Sequence, residues 1–318
     1  MAASTLTIAV LSGGISHERE VSLRSGRRVA DALISRGHEV TLIDPDANLF
    51  AKLQDLNPDV IWPALHGSSG EDGALLGLLA ASGYAYVGPT AASARLAWSK
   101  PISKTVVESA GVASAPSITV AREAFRELGA SAVLQIIAKE LGHHLVVKPA
   151  SGGSAQGVSI VTTIEDLPRA MVDAFTYSDV ALIERFINGT EVAMTVIGGP
   201  NGVEALPAVE IVPLDGVYSF EARYTAGETN FFVPARVSEA VAKTVAEAAV
   251  AAHNALGLDY ISRIDLIVDG DGRAWFLEAN SLPGLTETSS APLAIEASGH
   301  EVGELYESLA LAAINNRV

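Results

Sequence analysis

Four polar residues near the end of the sequence have the types and spacing of a phosphate-directed cation site. Arg263 and Asp265 alternate with apolar residues, as do Glu278 and Asn280 further on, and Asp269-Gly-Asp-Gly272 lies between the two stretches. Alternation at period two predicts two strands, and the glycines predict a tight hairpin turn. If the polar faces coincide, two carboxylates, an amide oxygen and a guanidinium converge. Such oxygen ligands suit Mg²⁺ held together with substrate phosphates.

The alternative interpretation of this hairpin is a solvated face with a cross-strand ion pair. The polar, glycine-containing loop 281–289 leaves the second strand where the four residues end, which favours a site. Period two also predicts that Phe276 shares the face of Glu278 and Asn280, with Leu277 on the opposite face.

A second candidate site is the glycine-rich loop Ala150-Ser-Gly-Gly-Ser-Ala-Gln-Gly157. It joins a predicted strand, Leu145–Pro149, to another at 158–161, whereas a Walker loop opens a helix. Glycine lets backbone N–H groups approach phosphates closely, and Lys148 adds positive charge at the root of the loop. The alternative is a flexible hairpin tip, but that does not require a lysine on the strand.

The elements that position these residues begin with a strand–helix–strand pattern. Strands are predicted at Leu6–Leu11, 38–43 and 60–65, with a helix over 21–36, so a parallel sheet is expected. Polar loops at 13–20 and 66–73 follow the first and third strands, where ligands bind in such sheets. His66 is equally compatible with a ligand contact and with a loop histidine satisfied by the backbone.

The rest of the chain alternates helices and strands around the two candidate sites. Residues 214–233 are polar, aromatic and glycine-bearing with no clear period, which is typical of a functional lid. Helices are predicted at 89–99, 101–110, 121–141, 238–256, 289–298 and 302–315, and strands at 179–184 and 191–197.

Composition narrows the class of protein. The 318 residues are 49% hydrophobic and 18% charged, which fits a globular protein of two or three domains. No apolar run approaches the ~20 residues of a membrane span, and the first residues lack a basic region, so neither a membrane partner nor a signal peptide is expected. The absence of cysteine fits a reducing cytoplasm. The net charge of −16 argues against a nucleic-acid partner.

Several motifs in order resemble the D-alanine–D-alanine ligases of the ATP-grasp superfamily. The resemblance extends from about Leu6 to Leu311. The motifs that carry it are Ser16-His-Glu-Arg-Glu-Val-Ser22, His66-Gly-x-x-Gly-Glu-Asp-Gly73, Val147-Lys-Pro-x-x-x-Gly-Ser154, Arg263-Ile-Asp265 and Glu278-Ala-Asn-Ser-Leu-Pro-Gly284.

The resemblance implies a fold and a reaction. The fold would be α/β, α+β in the ATP-grasp part, with three domains: a Rossmann-like parallel-sheet domain at 1–95, a central ATP-grasp subdomain at 96–186 and a C-terminal one at 187–318. The reaction would join two D-alanine molecules through a D-alanyl phosphate, using ATP and two Mg²⁺ ions (or Mn²⁺), for peptidoglycan precursors. A cytoplasmic homodimer is implied as well.

The resemblance also implies roles for individual residues. Glu18 would bind the ammonium of the first substrate, and Arg263 and the N–H of Gly284 would form the oxyanion site. Asp265, Glu278 and Asn280 would hold the metal ions. The substrate set would be Glu18, Val21, His66, Ser154, Arg263, Gly284, Ser289 and Ser290, with Glu18, Ser154, Arg263 and Gly284 also catalytic. The nucleotide set would be Lys100, Lys148, Glu184, Ile187, Glu191, Arg223 and Tyr224.

Departures from the family pattern affect the surroundings of these residues. Ala155, Arg223 and Ser290 stand where serine, lysine and leucine are usual, and Leu76 and Trp98-Ser99 also differ. Ser290 would either widen and polarise the pocket for the second substrate or cap the helix that begins there. Two alternatives to D-alanine ligation stay open: an ATP-grasp ligase with other amino-acid substrates, and a nucleotide-binding regulator without turnover.

Overall fold

The chain folds around three β-sheets. The computed structural model describes residues 5–199, 202–216, 218–219, 222–223, 225 and 227–316. Each sheet falls within one of the three segments predicted from the sequence, although the segment boundaries themselves stay a prediction.

The first sheet is parallel, as the strand–helix–strand pattern predicted. Its strands have the order β2-β1-β3, and β1 pairs with both neighbours in parallel register. Both faces of β1 are covered, which explains its nearly continuous apolar sequence. Its elements are β1 (Thr7–Leu11), α1 (Arg19–Ser35), β2 (Glu39–Ile43), α2 (Leu49–Leu56), β3 (Val60–Pro63) and α3 (Ala74–Ala81).

The second sheet is antiparallel, with the order β4-β7-β5-β6. Its elements and the helices around it are α4 (Ala91–Trp98), α5 (Lys100–Ser109), β4 (Ser117–Ala121), α6 (Arg122–Glu127), α7 (Ala130–Leu141), β5 (Leu145–Pro149), β6 (Ser159–Val161), α8 (Leu167–Tyr177) and β7 (Val180–Arg185).

The prediction of one helical stretch over 121–141 was wrong. The segment begins at the end of strand β4, and Gly129, at φ 84°, separates α6 from α7. Glycine adopts this left-handed conformation without steric cost, so the helical pattern is interrupted there.

The third sheet contains the predicted hairpin. Its order is β11-β10-β8-β12-β13, with β9 paired to β8. Strands β10 and β11 were not predicted, and β11 lies inside the segment 214–233. The elements are β8 (Gly189–Gly199), β9 (Gly202–Ala205), β10 (Val209–Pro213), β11 (Thr229–Phe232), α9 (Glu239–Ala255), β12 (Ile261–Asp269), β13 (Ala274–Asn280), α10 (Ser290–Ser298) and α11 (Val302–Asn315).

The first and third segments share one hydrophobic core. Ile8 and Val10 of β1 lie in the same buried cluster as Ile295 of α10 and Tyr306 of α11. Apolar burial of this kind contributes about 25 cal/mol per Å², so the N-terminal sheet and the C-terminal helices hold one another in place. None of the helices in the described part of the chain combines the length and apolarity that a bilayer crossing requires.

Candidate active site

The hairpin brings the four polar residues into two cross-strand pairs. Arg263 lies opposite Asn280, and Asp265 lies opposite Glu278. The strand face behind them is apolar, since Ile264 of β12 is fully buried. The expected convergence of two carboxylates, an amide and a guanidinium is therefore present.

A β-bulge in β13 changes which side chains lie on the same face as the four polar residues. The register skips Leu277, because Leu266 pairs with Phe276 immediately after Asp265 pairs with Glu278. An extra residue in one strand shifts the alternation by one. Phe276 consequently lies in the core, and Leu277 lines the cavity beside Glu278. The prediction that Phe276 would share the face of Glu278 was wrong for this reason.

Arg263 and Asp265 form a forked ion pair. Arg263 Nε and Nη2 donate to the two carboxylate oxygens of Asp265 at 2.8 and 2.9 Å. Burial lowers the pKa of Arg263, but the charge of Asp265 raises it more, so the guanidinium stays protonated. Asn280 donates its side-chain N–H to Asp265 at 3.2 Å, which directs its amide oxygen away from that carboxylate.

Glu278 is kept ionised by surrounding cations. Burial alone would raise the pKa of Glu278, but Lys100, Arg223 and Lys148 outweigh it and lower that pKa to about 2. Lys100 Nζ is 3.1 Å from its carboxylate and also donates to the carbonyl of Gly152, at 2.5 Å. Lys100 therefore connects the hairpin to the glycine-rich loop.

The donor set of this hairpin fits a hard cation that is completed by its substrate. No group of three His, Cys, Asp or Glu side chains in the described part of the chain is arranged for a metal. Asp265, Glu278 and Asn280 together offer two carboxylates and an amide oxygen. Mg²⁺ characteristically takes few protein ligands and fills its other positions with phosphate oxygens and water.

A cavity of about 440 Å³ adjoins the hairpin. Residues from both sheets of the predicted ATP-grasp part line it. Those that the sequence predicted for the nucleotide or the metal are Lys100, Lys148, Glu184, Ile187, Glu191, Arg223, Asp265 and Glu278. Tyr224, the remaining predicted nucleotide residue, lies outside the described residues.

Glu184 is held between two lysines at the inner wall of this cavity. Its carboxylate forms buried ion pairs with Lys148 and with Lys104. Burial raises the pKa of Glu184, but the two lysine charges outweigh it and lower that pKa. Sequence reasoning missed Lys104; its only signal was a lysine four residues after Lys100 on the predicted helix.

A second cavity, of about 60 Å³, contains every residue predicted for the amino-acid substrates. They are Glu18, Val21, His66, Ser154, Arg263, Gly284, Ser289 and Ser290. Gly153, Tyr218 and Arg223 line both this cavity and the larger one. The two cavities are therefore adjacent, and the 214–233 segment contributes to the wall between them.

Two buried carboxyl groups, those of Glu18 and Glu71, line the smaller cavity. Glu18 is hydrogen-bonded to Ser154, while burial raises its pKa. Burial and the charge of Glu18 raise the pKa of Glu71 to about 8. Neither carboxyl has an ion-pair partner within 4.0 Å among the described residues. Glu71, absent from the predicted set, also accepts the Gly67 N–H at 2.7 Å.

The glycine-rich loop closes directly on Glu18. A Cβ at Gly153 would lie 2.6 Å from Glu18 Oε1, so a larger residue there would displace the Glu18 carboxylate. The next two residues, Ser154 and Ala155, adopt φ values of 54° and 55°. Such left-handed conformations are unfavourable for residues other than glycine and concentrate at functional sites.

His66 is satisfied by the protein and still borders the cavity. Its Nδ1 lies 3.1 Å from the carbonyl of Leu282, and its Nε2 lies 3.0 Å from Ser25 Oγ. Both ring nitrogens of His66 thus have protein partners. The residue also lines the smaller cavity, and its contact with a ligand stays a prediction.

The loop after the hairpin ends with Ser289 and Ser290 facing the same cavity. Ser289 occupies the N-cap position of α10 and Ser290 is the first helical residue, so the interpretation of Ser290 as the cap is wrong. Ser289 Oγ accepts the Thr286 N–H at 3.1 Å. A Cβ at Gly284 would lie 2.9 Å from Ser289 Oγ, so a larger residue there would displace this hydroxyl.

Proteins of known function are similar to this chain in sequence. A family model described as "D-ala D-ala ligase C-terminus" matches residues 106–310. A D-alanine–D-alanine ligase of Anaeromyxobacter sp. (strain K) is 40% identical over 302 residues, covering 95% of each chain.

Two solved structures have the same fold. A D-alanine–D-alanine ligase from Bacillus anthracis, complexed with ATP, superposes with a TM-score of 0.81 at 27% identity over 98% of this chain and 99% of that one. The VanG D-Ala:D-Ser ligase from Enterococcus faecalis superposes with a TM-score of 0.81 at 26% identity over 98% of this chain and 100% of that one. The predicted ATP-grasp fold is therefore confirmed, and the chain belongs to the D-alanine–D-alanine ligase family.

Proposed function

We propose that this protein uses ATP to join two D-alanine molecules into D-alanyl-D-alanine. A carboxylate oxygen of the first D-alanine attacks the γ-phosphorus of ATP, releasing ADP and leaving a D-alanyl phosphate. The deprotonated amine of the second D-alanine then attacks the acyl carbon, and inorganic phosphate leaves. The observation that carries this proposal is that the amino-acid cavity and the larger cavity share Gly153, Tyr218 and Arg223 in their walls.

The smaller cavity supports binding of an amino acid through opposite charges at its two ends. Glu18 and Glu71 have no ion-pair partner within 4.0 Å among the described residues, and the charge of a bound ammonium would favour the ionised form of both carboxyl groups. Arg263 and the N–H of Gly284 line the same cavity and can stabilise negative charge on the reacting carboxyl group. Ser289, which lines the same cavity, would bind the carboxylate of the second substrate.

The larger cavity supports binding of ATP. Lys100, Lys148 and Arg223 supply positive charge for the phosphates, and Glu184, Ile187 and Glu191 line the part proposed for adenine and ribose. Asp265, Glu278 and Asn280 would hold Mg²⁺, which neutralises charge on the transferring phosphoryl group when bound.

The test is phosphate release from ATP and Mg²⁺ across a panel of D- and L-amino acids, supplied singly and in pairs. D-alanine is expected to support the fastest release, with D-alanyl-D-alanine as the product. Release that is equally fast without an amino acid, or product from a different pair only, contradicts the proposal.

We further propose that the protein is a cytoplasmic homodimer that supplies peptidoglycan precursors. Sedimentation tests the dimer, and depletion of the protein in cells tests the supply of precursors.

A second candidate function, ligation of D-alanine to a different D-amino acid, is favoured by Ser290. This side chain is 6% exposed and lines the amino-acid cavity. Its hydroxyl has no hydrogen-bond partner among the described residues, so it is available to a polar second substrate. A shorter, hydroxylated residue leaves more room than the usual leucine and adds a donor and an acceptor.

Replacing Ser290 with leucine is expected to raise the preference for D-alanine over D-serine at the second position by about 10-fold or more. Discrimination by a pocket of this kind is worth roughly 1–3 kcal/mol. Competition between the two amino acids measures the shift. Ser290→Ala serves as the control, since it removes the hydroxyl without adding bulk. An unchanged, strong D-alanine preference in wild type and Ser290→Leu alike would show that Ser290 does not select the substrate.

ATP and Mg²⁺ are expected to slow tryptic cleavage after Arg223. This residue lies between the cavities, with its guanidinium carbon 4.2 Å from the centre of the Tyr218 ring. A bound phosphate offers its guanidinium a bidentate partner, which would hold the 214–233 segment closed. Cleavage after Arg169, an exposed residue of α8, is the internal control. Equal cleavage rates after Arg223 with and without nucleotide would count against a lid.

A further inference from the structure

Gly284 is bracketed by two hydrogen bonds from the N-terminal part of the chain. Two residues before it, the carbonyl of Leu282 accepts from His66 Nδ1 at 3.1 Å. One residue after it, the N–H of Leu285 donates to Ser25 Oγ at 3.1 Å. Both bonds cross more than 200 residues of sequence, from α1 and the loop after β3 to the loop after β13.

The two bonds belong to one network with a single arrangement of protons. A carbonyl only accepts, so His66 carries its proton on Nδ1, and its Nε2 must accept from the Ser25 hydroxyl at 3.0 Å. The Ser25 oxygen in turn accepts from Leu285. Ser25 is fully buried and His66 is 3% exposed. Burial lowers the pKa of His66 to about 4, so the ring stays neutral near pH 7.

The loop that carries Gly284 has no regular secondary structure of its own. Residues 281–289 form bends and turns between β13 and α10. An ion pair between Arg24 and Glu287 also connects it to α1, but the two side chains are 44% and 58% exposed. Exposed pairs of this kind contribute little. The bonds from His66 and Ser25 are buried, and together with the packing of Leu285 in the core cluster that also contains Val29 they fix the loop against the N-terminal part of the chain.

We propose that Ser25 is a positioning residue for the Gly284 N–H, acting directly on Leu285 and through His66 on Leu282. The proposal rests on the proposed function, in which that N–H stabilises developing oxyanion charge. In this proposal His66 also helps to position the Gly284 N–H, and its neutral ring transfers no proton. We call this network the Ser25–His66 clamp.

The test compares Ser25→Ala with Ser22→Ala. Ser22 lies one turn earlier on α1, is equally buried, and likewise makes two hydrogen bonds through its hydroxyl, which donates to the carbonyl of Ala64 and accepts from the N–H of Gly13. Both of those partners lie in the N-terminal part of the chain. The two variants lose similar buried contacts, but only Ser25→Ala loses the contact to the loop that carries Gly284. Ser25→Cys keeps the volume with a weaker donor and replaces the alanine variant if that one does not fold.

Amide hydrogen exchange gives a readout that does not depend on activity. A peptide covering residues 281–289 is expected to exchange faster in Ser25→Ala than in wild type, and at the wild-type rate in Ser22→Ala. Equal exchange in all three proteins overturns the proposal. This comparison stays decisive even if the wild-type protein does not ligate D-alanine, in which case only the proposed function fails.

Steady-state kinetics test the consequence for the reaction. Ser25→Ala is expected to lower kcat by about 10- to 100-fold, because a displacement near 1 Å at a reacting group has an effect of this size. The KM for ATP should stay within about twofold, since the clamp makes no contact with the larger cavity. Ser22→Ala should retain kcat within about threefold. Faster exchange with an unchanged kcat, or equal losses of kcat in both variants, overturns the positioning role.

Discussion

Replacing Arg263 with alanine is expected to lower kcat about 100- to 1000-fold while changing the KM for ATP by less than about threefold, as for other donors aimed at an oxyanion. Two of its guanidinium nitrogens bind Asp265, at 2.8 and 2.9 Å. The third nitrogen, Nη1, has no hydrogen-bond partner among the described residues, and Arg263 lines the amino-acid cavity. We expect Nη1 to contact the oxygen on which negative charge develops, so its loss acts on the transition state.

Truncation of Arg263 also removes the partner of Asp265, which is only 3% exposed. Breaking a buried pair from one side costs about 3–5 kcal/mol, so thermal unfolding must be measured together with kcat. Arg263→Lys retains a charge for Asp265 but loses the planar fork. It should fold and still have a low kcat.

Arg236→Lys is the matched control for this experiment. Arg236 makes the same forked contact, with Glu210 at 2.9 and 2.7 Å, but its side chain is 57% exposed and lines the larger cavity only. A surface pair is worth about 0–1 kcal/mol, so kcat should change little. If Arg263 variants lose affinity for ATP and keep kcat, Arg263 is a nucleotide contact and the oxyanion assignment is wrong.

The hairpin was predictable because its information is local. Alternation within β12 and β13, together with the glycines at the turn, predicted two strands and a polar face on each. The pairing of Asp265 with Glu278 also needs the bulge, because the register at the turn would otherwise place Leu277 opposite Asp265. The strand ladder converts a pattern of a few residues directly into a shared face. The parallel N-terminal sheet was predictable for the same reason, since strand and helix periods alternate along the chain.

The bulge at Leu277 shows where local patterns stop being sufficient. Period two is violated by a single unpaired residue, and nothing in the sequence of β13 distinguishes a bulged strand from a regular one. Phe276 is drawn into the core, where it is fully buried and its N–H donates to the carbonyl of Ala113, outside the hairpin. Tertiary packing therefore decided the direction of Leu277, which then became part of the cavity wall.

Residues that act through distant contacts could not be predicted from spacing. Ser25 meets Leu285 across 260 positions, and Lys104 meets Glu184 across 80. A buried serine on an amphipathic helix resembles any other core serine until its partner is known. The burial of Glu71 likewise results from the packing of the loop after β3, whereas its motif only placed a carboxylate nearby.

Replacing Glu278 with glutamine is expected to lower turnover about 100-fold or more at saturating substrates and to raise the Mg²⁺ concentration needed for half-maximal rate, because an anionic ligand beside the transferring phosphoryl group is lost. Glutamine has the same shape, so the fold should persist. Lys100 would lose its carboxylate partner at 3.1 Å but keep its bond to Gly152. The Arg263–Asp265 fork stays intact in this variant, whereas Asp265→Asn alters the fork and the metal ligand together. Glu278→Gln is therefore the cleaner test of the metal role.

Asp269→Asn provides the control for Glu278→Gln on the same hairpin. Asp269 accepts the Arg273 N–H and the Trp275 Nε1–H at 2.9 and 2.7 Å, at the turn and away from both substrate cavities. Its replacement should weaken the turn without changing the Mg²⁺ dependence. Mg²⁺ titrations of initial rate for wild type and the two variants distinguish the cases. A Glu278→Gln protein with wild-type turnover and Mg²⁺ dependence would remove this carboxylate from the metal site, leaving Asp265 and Asn280 as its only ligands from the hairpin.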